Sequence, residues 1–492
     1  MNSFFNRLIR NQKPFLNSPL GLCLLLASLS WGCVERSSSQ AVNPSNSNSN
    51  PQKINLDLPP LKEGKGGLIV ADVNNDQQKD FLVTHPNAIA VYDHSGKKLW
   101  VKSVNLQLTN KSESQGLPGL HAPGIQAGDI NGDDKTEVLF LSSDHKLHIV
   151  EGKNGKTIRE IQLKSPDGSK GWEHLVIANF RGKGDRDLLL QTTNANGYRV
   201  GRYIAAYSVD DLLKADNPQP LWERDDFKAN AHNGVRVADL NGDNLDEVLG
   251  AKIVSPEGEI LIEIPRKGHI DSLFVADVRP DIPGLEVVVL EEGGEKKEDS
   301  KNSAGGLKRN RVFLYNTEKI IWETHYKNWE PQNAAVGDFD PNRPGLEIWS
   351  RSRFSTDQKP FVFDAKGKVI SNYTLNETKP EGWTKKGVEV IFPIDWTGED
   401  RQLAVAKERH TSGNVGIFDA MTGEFVLEFP ENADRLYVAD VKGDWREEIM
   451  VINGNKLHIY ENTDPNPNPN RSSLWTQNHY RRSKMTWNYY SP

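Results

Sequence analysis

The chain has 492 residues, 26% charged and 36% hydrophobic, with 60 Lys+Arg against 67 Asp+Glu and a formal net charge of −7. That length suits two or three ordinary domains or one large repeat-built domain, and mild acidity excludes a nucleic-acid binder that needs a basic face. A single apolar run near the N-terminus excludes a multipass membrane protein, and 40 Gly, 27 Pro, 12 Trp and 12 Tyr predict a turn-rich β protein.

Arg7, Arg10 and Lys13 precede the apolar run Pro19–Trp31, which ends Ser30-Trp31-Gly32-Cys33. A basic segment, a short apolar core and a small residue before a cut make a secretory signal. Its end resembles a bacterial lipoprotein signal, with Cys33 as the acylated first mature residue. That predicts an exported protein lipid-anchored to the outer membrane, on its periplasmic or surface face; Val34 supplies no inner-membrane retention signal. An ordinary cleaved signal, giving a secreted protein, and an uncleaved anchor helix are the alternatives. Cys23 leaves with a cleaved signal, so no internal disulfide holds the fold. Residues 34–65, rich in Ser, Asn and Pro, read as a linker, and residues 66–492 as the folded domain.

An acidic motif recurs along that domain. Complete copies are Asp72-x-Asn74-x-Asp76-x-x-x-Asp80, Asp129-x-Asn131-x-Asp133-x-x-x-Glu137 and Asp239-x-Asn241-x-Asp243-x-x-x-Glu247. Weaker copies open at Asn179, with Arg181, Lys183, Asp185 and Asp187, and at Asp277, with Arg279, Asp281 and Glu286. Three more open at Asp338 (Asp340, Asn342, Glu347), at Asp395 (Thr397, Glu399) and at Asp440 (Lys442, Asp444, Glu448). The first and last copies are seven repeats apart, giving a mean period of about 53 residues, in the range of propeller blades.

A β-rich run precedes each cluster and another follows, as in Leu273-Phe-Val-Ala276 and Val287-Val-Val-Leu290. Further on comes a strand, an Asp-x-x-Gly turn and a strand, as in Val91-Tyr-Asp93-His-Ser-Gly96 and Phe363-Asp364-Ala-Lys-Gly367. This predicts four-stranded antiparallel blades and an all-β, eight-bladed β-propeller. The weakness of the copies at Asn179 and Asp395 leaves seven or nine blades open. The charged stretch Glu291–Arg311 reads as a mobile surface loop.

Oxygen ligands at positions 1, 3, 5 and 9 of a tight turn can wrap a hard cation as an EF-hand loop does. Ca²⁺ is therefore expected at Asp72, Asn74, Asp76 and Asp80, at Asp129, Asn131, Asp133 and Glu137, and at Asp239, Asn241, Asp243 and Glu247. Asp338, Asp340, Asn342 and Glu347 form a fourth candidate set. The alternative is an Asx-turn without metal, disfavoured because so many neighbouring carboxylates repel one another. At Arg279, Arg181, Lys183 and Lys442 an internal cation is expected in place of calcium.

The segments Gly268-His269-Ile-Asp271-Ser-Leu-Phe-Val-Ala-Asp277, Pro283-Gly-Leu-Glu286 and Gly337-Asp338-Phe-Asp340-Pro resemble the bacterial rhamnogalacturonan lyases, which fold as eight-bladed calcium propellers. So do Gly443-Asp444-Trp445-Arg446-Glu447-Glu448 and, near the end, Tyr480-Arg481-Arg-Ser483, where the family's last blade closes. The resemblance covers roughly residues 66–492 and is firmest from 232 onward. It implies a β-sandwich domain before the propeller, where only the linker stands here. It also implies an Asn-Gly-Thr-Lys segment lining the cleft, where this chain reads Glu431-Asn432-Ala-Asp434-Arg435 without lysine.

A lyase of this kind needs a cation to neutralise a uronate carboxylate, a base for the adjacent C–H and a donor for the leaving oxygen. Candidates are His232, His269, Arg435, His479, Tyr480 and Arg481, with Asp271 placed to orient His269 or ligate a cation. Each His has the alternative of a hydrogen-bonded loop residue, and Tyr480 and Arg481 that of closing the last blade on the first. Trp445 and Arg446 read as structural, between blades. No Gly-x-Ser-x-Gly elbow, His-Glu-x-x-His or phosphate-binding glycine loop is present. The leading expectation is a monomeric, exported, calcium-dependent lyase acting on an acidic, uronate-containing polysaccharide. A catalytically silent glycan-binding relative and an adhesion propeller are the other two readings.

Overall fold

The computed structural model describes residues 50–60, 67–106, 125–169, 171–193, 200–227, 234–265, 269–292, 310–324, 331–352, 360–385, 387–408 and 413–485. The segment expected to be a secretory signal, Cys33 and His232 lie outside these described residues. Eight four-stranded antiparallel sheets follow one another along the chain, and they form the ring of an eight-bladed β-propeller. The innermost strands of blades 1–8 are Gly67–Ala71, Ile125–Gly128, Trp172–Ala178, Arg236–Ala238, His269–Ala276, Pro331–Gly337, Val388–Ile394 and Arg435–Ala439. Neighbouring blades meet through these strands.

Each acidic motif joins the first strand of a blade to the second, so all eight turns project from one end of the ring. The inner strands are buried on both faces because a neighbouring blade covers each side, which is why they read as unbroken apolar runs. The outermost strands alternate; Lys98–Ser103 buries only Trp100 fully. The weak copies at Asn179 and Asp395 each have a blade, so the count is eight.

Three features differ from the sequence reading. Gln52–Asn55, placed in the linker, is the outermost strand of blade 8, paired antiparallel with Lys456–Tyr460, so the ring closes by joining the two ends of the chain. Glu291 and Arg311, placed in a mobile loop, are strand residues of blade 5 joined by a buried ion pair. Tyr480 and Arg481 close no blade; they lie in a helix, Asn478–Met485.

The tryptophans latch the blades together. Trp100 of blade 1 donates to Gly152 O (2.6 Å) and lies where a Cβ on Gly155 would come within 2.8 Å of its ring. Trp222 repeats this on Pro256 O (2.7 Å) and Gly258, and Trp322 on Ala365 O (3.0 Å) and Gly367. These glycines belong to the turns between the third and fourth strands of their blades, where a left-handed φ already favours glycine. Ile54 of the closing strand occupies the same place against Gly96 of blade 1. Trp100→Ala should cost about 3–5 kcal/mol in a denaturant titration, because it removes a buried indole and its hydrogen bond. An unchanged midpoint would remove the latch from the account.

Candidate functional site

At Asp239 the main chain organises the acidic turn. Gly242, Asp243 and Asn244 N–H groups donate to the Asp239 carboxylate at 2.7, 3.1 and 2.9 Å. Asp243 N–H also donates to Asn241 Oδ1 (2.9 Å), Leu245 N–H to Asp243 Oδ1 (2.8 Å) and Leu240 N–H to Glu247 Oε2 (2.9 Å). Asn241 Nδ2 lies between Asp243 (3.0 Å) and Glu247 (3.2 Å), so all four side chains gather on one point. The turns at Asp72 and Asp129 repeat the pattern.

Burial first, then the neighbouring carboxylates, pushes Glu137 and Glu247 up to about 7 and Asp80 to about 6. A prearranged cluster of carboxylates and an Asn amide, in which the innermost acid binds its proton more tightly than usual until a cation displaces it, is a donor set that a hard divalent cation would fit. In blade 1, His94 Nδ1 also approaches Asp76 (3.5 Å).

In the other blades the chain's own groups reach the acids. Arg181 pairs with Asp187 (2.6 Å), and Arg279 grips Asp281 with two bonds of 2.7 Å. Lys442 turns outward to Glu461; Asp440 instead accepts from Ser473 Oγ (2.7 Å), Leu474 N–H (2.9 Å) and Gly443 N–H (2.7 Å). Asp395 accepts from Gln402 Nε2 (2.7 Å) and Trp445 Nε1 (3.1 Å). In blade 6, Arg343 pairs with Asp340 (2.8 Å), while Glu347 Oε2 accepts from Phe339 and Asp340 N–H and Glu347 Oε1 is buried without a hydrogen bond.

The helix Asn478–Met485 fills the centre of the ring. Arg482 bridges Asp246 (2.6 Å) and Asp185 (2.9 Å) and donates to Ile177 O (3.1 Å); Arg481 also pairs with Asp185. Lys484 reaches Val438 O (2.7 Å) and Glu447 (3.0 Å), Tyr480 OH donates to Glu447 (2.8 Å), and Gln126 donates to Met485 O (2.6 Å). Blades 2, 3, 4 and 8 are thereby tied to one helix on the axis. Tyr480 and Arg481 are engaged in this tie. Burial and Glu447 hold the Tyr480 phenol far above its ordinary range, and burial lowers His479.

Among the described residues, the predicted His269, Asp271 and Arg435 lie at the opposite end of the strands. His269 opens the inner strand of blade 5, its backbone paired with Glu292, and Asp271 sits at a bulge in that strand. Arg435 opens the inner strand of blade 8 and is buried. The candidate residues therefore divide between the two ends and do not form one group.

Sequence reasoning missed what surrounds this second end. Arg236 and Lys252 of blade 4 and Arg311, Arg351, Lys407 and Arg435 of blades 5–8 are buried cations. Arg351 donates to Val388 O of the next blade (3.1 Å). Glu431 accepts from Tyr460 OH and contacts His458 Nδ1, both at 2.5 Å. In blade 3, Glu173 lies at another inner-strand bulge, 1% exposed, with neither carboxylate oxygen hydrogen-bonded, and burial pushes it up to about 8. Bulges re-aim side chains and are common beside active sites. Arg435 apart, a lone charge at a strand end is too common in sequence to have marked these.

Residues 191–491 match the model for "Rhamnogalacturonan lyase family 11, C-terminal domain". The chain belongs to this family. Residues 72–140 also match the FG-GAP-like repeat. Among curated relatives, the family-11 chain is 26% identical over 434 residues to the rhamnogalacturonan endolyase YesW of Bacillus subtilis, covering 77% of this chain and 62% of that protein. It is 24% identical over 361 residues to the exolyase YesX of the same organism, covering 68% and 56%. The chain thus spans less than two thirds of the curated relatives it matches. The crystal structure of a Bacillus licheniformis rhamnogalacturonan lyase superposes with a TM-score of 0.63 at 18% identity, over 90% of this chain and 81% of that one; that likeness shows the fold.

Two outcomes are expected for this family-11 propeller. Replacing Arg482 by Ala leaves buried Asp185 and Asp246 without their shared cation and should cost about 3–5 kcal/mol in denaturant. Glu137 and Glu247 titrate near 7 when folded against an ordinary 4.5. Between those values the folded protein holds protons the unfolded chain has lost, so metal-free stability falls as pH rises through that window. A cation displaces those protons, so the melting-temperature gain from calcium should be larger at about pH 8 than at about pH 5. An equal gain at both would contradict the assignment.

Proposed function

We propose that this chain is a calcium-dependent polysaccharide lyase that cleaves a uronate-containing glycan, such as rhamnogalacturonan, by β-elimination at the channel end opposite the acidic turns. One observation carries the reading: the stretch matched to the lyase family, 191–491, contains blades 4–8, the blades that each bring a buried cation to that end. Positive side chains at that end, Arg311 apart because it is paired with Glu291 and Glu323, attract a polyuronate and favour the charge that develops on its carboxylate as the adjacent C–H is lost. Calcium, held by the turns of blades 1, 2 and 4, supplies stability to the ring rather than a step in the reaction.

In this mechanism His269 or His232 takes the proton and Asp271 orients the base. Arg435 and Arg351 hold positive potential under the carboxylate, and Lys407 supplies the lysine that the segment 431–435 lacks. The proton goes to the base, the C–H electrons form the new C=C bond, the C–O bond breaks with its electrons going to the leaving sugar's oxygen, and the protonated base returns its proton to that oxygen. A glycan-binding module without turnover is the second reading. It is favoured by Glu431, which is committed to His458 and Tyr460 where the family resemblance implies a cleft segment with lysine. Export and anchoring through Cys33 complete the proposal, placing the propeller where such glycans are met.

The test is ultraviolet absorbance of the unsaturated uronate during incubation with rhamnogalacturonan. A rise that falls at least tenfold in His269→Ala, with folding unchanged, supports the lyase; a flat trace alongside glycan pull-down supports the binding module. Cys33→Ser should move the protein from the membrane fraction to the soluble fraction, and retention on the membrane would exclude the lipid anchor.

A further inference from the structure

A pocket of about 740 Å³ opens on the acidic-turn face between blades 5 and 8, at the end of the ring away from the proposed chemistry. Its floor is apolar, made by Phe274, Val336 and Pro393, and the helix residue Tyr480 closes one side. Its polar groups are held in place: Gln402 donates to Asp395 (2.7 Å) and accepts from Asp338 N–H (2.9 Å).

The charges lining it are unevenly compensated. Lys484 is paired with Glu447, Arg343 with Asp340 and Arg471 with Asp400. Asp277 and Asp338 have no ion pair or hydrogen bond to their carboxylates among the described residues, and Asp338 Oδ1 is buried. The pocket therefore offers acceptors and a net negative field.

Trp445 forms the remaining wall under backbone strain. The sixth residue of the turn is left-handed in five blades, where Gln77, Asp134, Gly184 and Asn244 occupy it with φ of 70°, 61°, 76° and 66°. Blade 8 puts Trp445 there, at φ 75°. A bulky aromatic in that conformation is an outlier of the kind that persists where the side chain has a task. The indole fixes Asp395 through Nε1 and presents its ring to the pocket beneath Arg471, 5.3 Å from the ring centroid.

We propose that this pocket is a second glycan site that binds a neutral sugar unit. An aromatic wall and an apolar floor suit the C–H faces of a pyranose, fixed carboxylates suit its hydroxyl donors, and the volume is in the range of small-molecule sites. The uncompensated Asp277 and Asp338 repel a uronate, so the site selects uncharged residues of a mixed chain. The inference rests on the glycan reading above and adds to it a subsite on the other face.

The test is isothermal titration of the full chain with a neutral galacto-oligosaccharide and, separately, a galacturonate oligosaccharide, using wild type, Asp277→Ala and Trp445→Asn. Asp277 is exposed, so Asp277→Ala should keep the wild-type melting curve; Asn tolerates the left-handed backbone, and Trp445→Asn, which gives up the bond to Asp395, is read at a temperature where circular dichroism shows it folded. The neutral sugar should bind wild type and lose roughly tenfold or more in affinity in each variant, with lyase activity on a short uronate substrate unchanged. Absence of neutral-sugar binding, equal affinity in folded variants, or galacturonate binding lost in the same variants would overturn the site. Because binding is read without turnover, a chain that binds the neutral sugar but shows no lyase activity sinks only the lyase reading.

Discussion

Carboxylates crowded into eight turns at one end of a ring are the constraint around which this molecule is built. Each turn folds its acids inward against main-chain N–H groups, and like charges so close, partly removed from water, must be neutralised. Blades 1, 2 and 4 keep a cluster of acids around an Asn amide, in which burial raises the innermost carboxyl to about 6 in blade 1 and about 7 in blades 2 and 4. Blades 3 and 5 answer the same demand with an arginine inside the turn, and blade 8 with hydroxyl and amide donors from Ser473 and Leu474. The C-terminal helix extends the principle between blades, its Arg482 serving Asp185 and Asp246 together.

That arrangement gives the two ends of the ring different work. The acidic end is locked by cations, by Trp–Gly latches between blades and by the helix on the axis. The far end carries the bulged inner strands, the buried Glu173 and the buried cations of blades 4–8. A closed ring holds a site rigidly because its strands cannot slip without breaking the circular packing, and the outermost strand of blade 8, from residues 52–55, closes it.

Much of this was legible in the sequence because the repeat carries a local signal. Asp-x-Asn-x-Asp and Asp-x-x-Gly name their turns whatever surrounds them, so the strand order, the blade count and the positions of the acids could all be read from spacing. What could not be read was long-range. Gln52–Asn55 is polar and short, and nothing local says that it pairs with a strand 400 residues away. Tyr480 and Arg481 sit in a segment with no apolar period, because the helix is held by charges rather than by an apolar face. The buried cations look like ordinary strand-end residues until the ring gathers them. Residues 52–55, Glu291 and Arg311 pair in strands for a reason composition does not carry: it describes average solvation and not pairing partners.

The central claim is that the complete turns are cation cages and the incomplete ones have been replaced by the chain's own groups. Elemental mass spectrometry of the full chain, dialysed against trace calcium, tests it most directly. The account predicts at least three tightly held calcium ions per chain, one fewer in Glu247→Gln and no change in Asp281→Asn, whose turn is already served by Arg279. A chain that holds no calcium, or one whose calcium content is indifferent to Glu247, would contradict it.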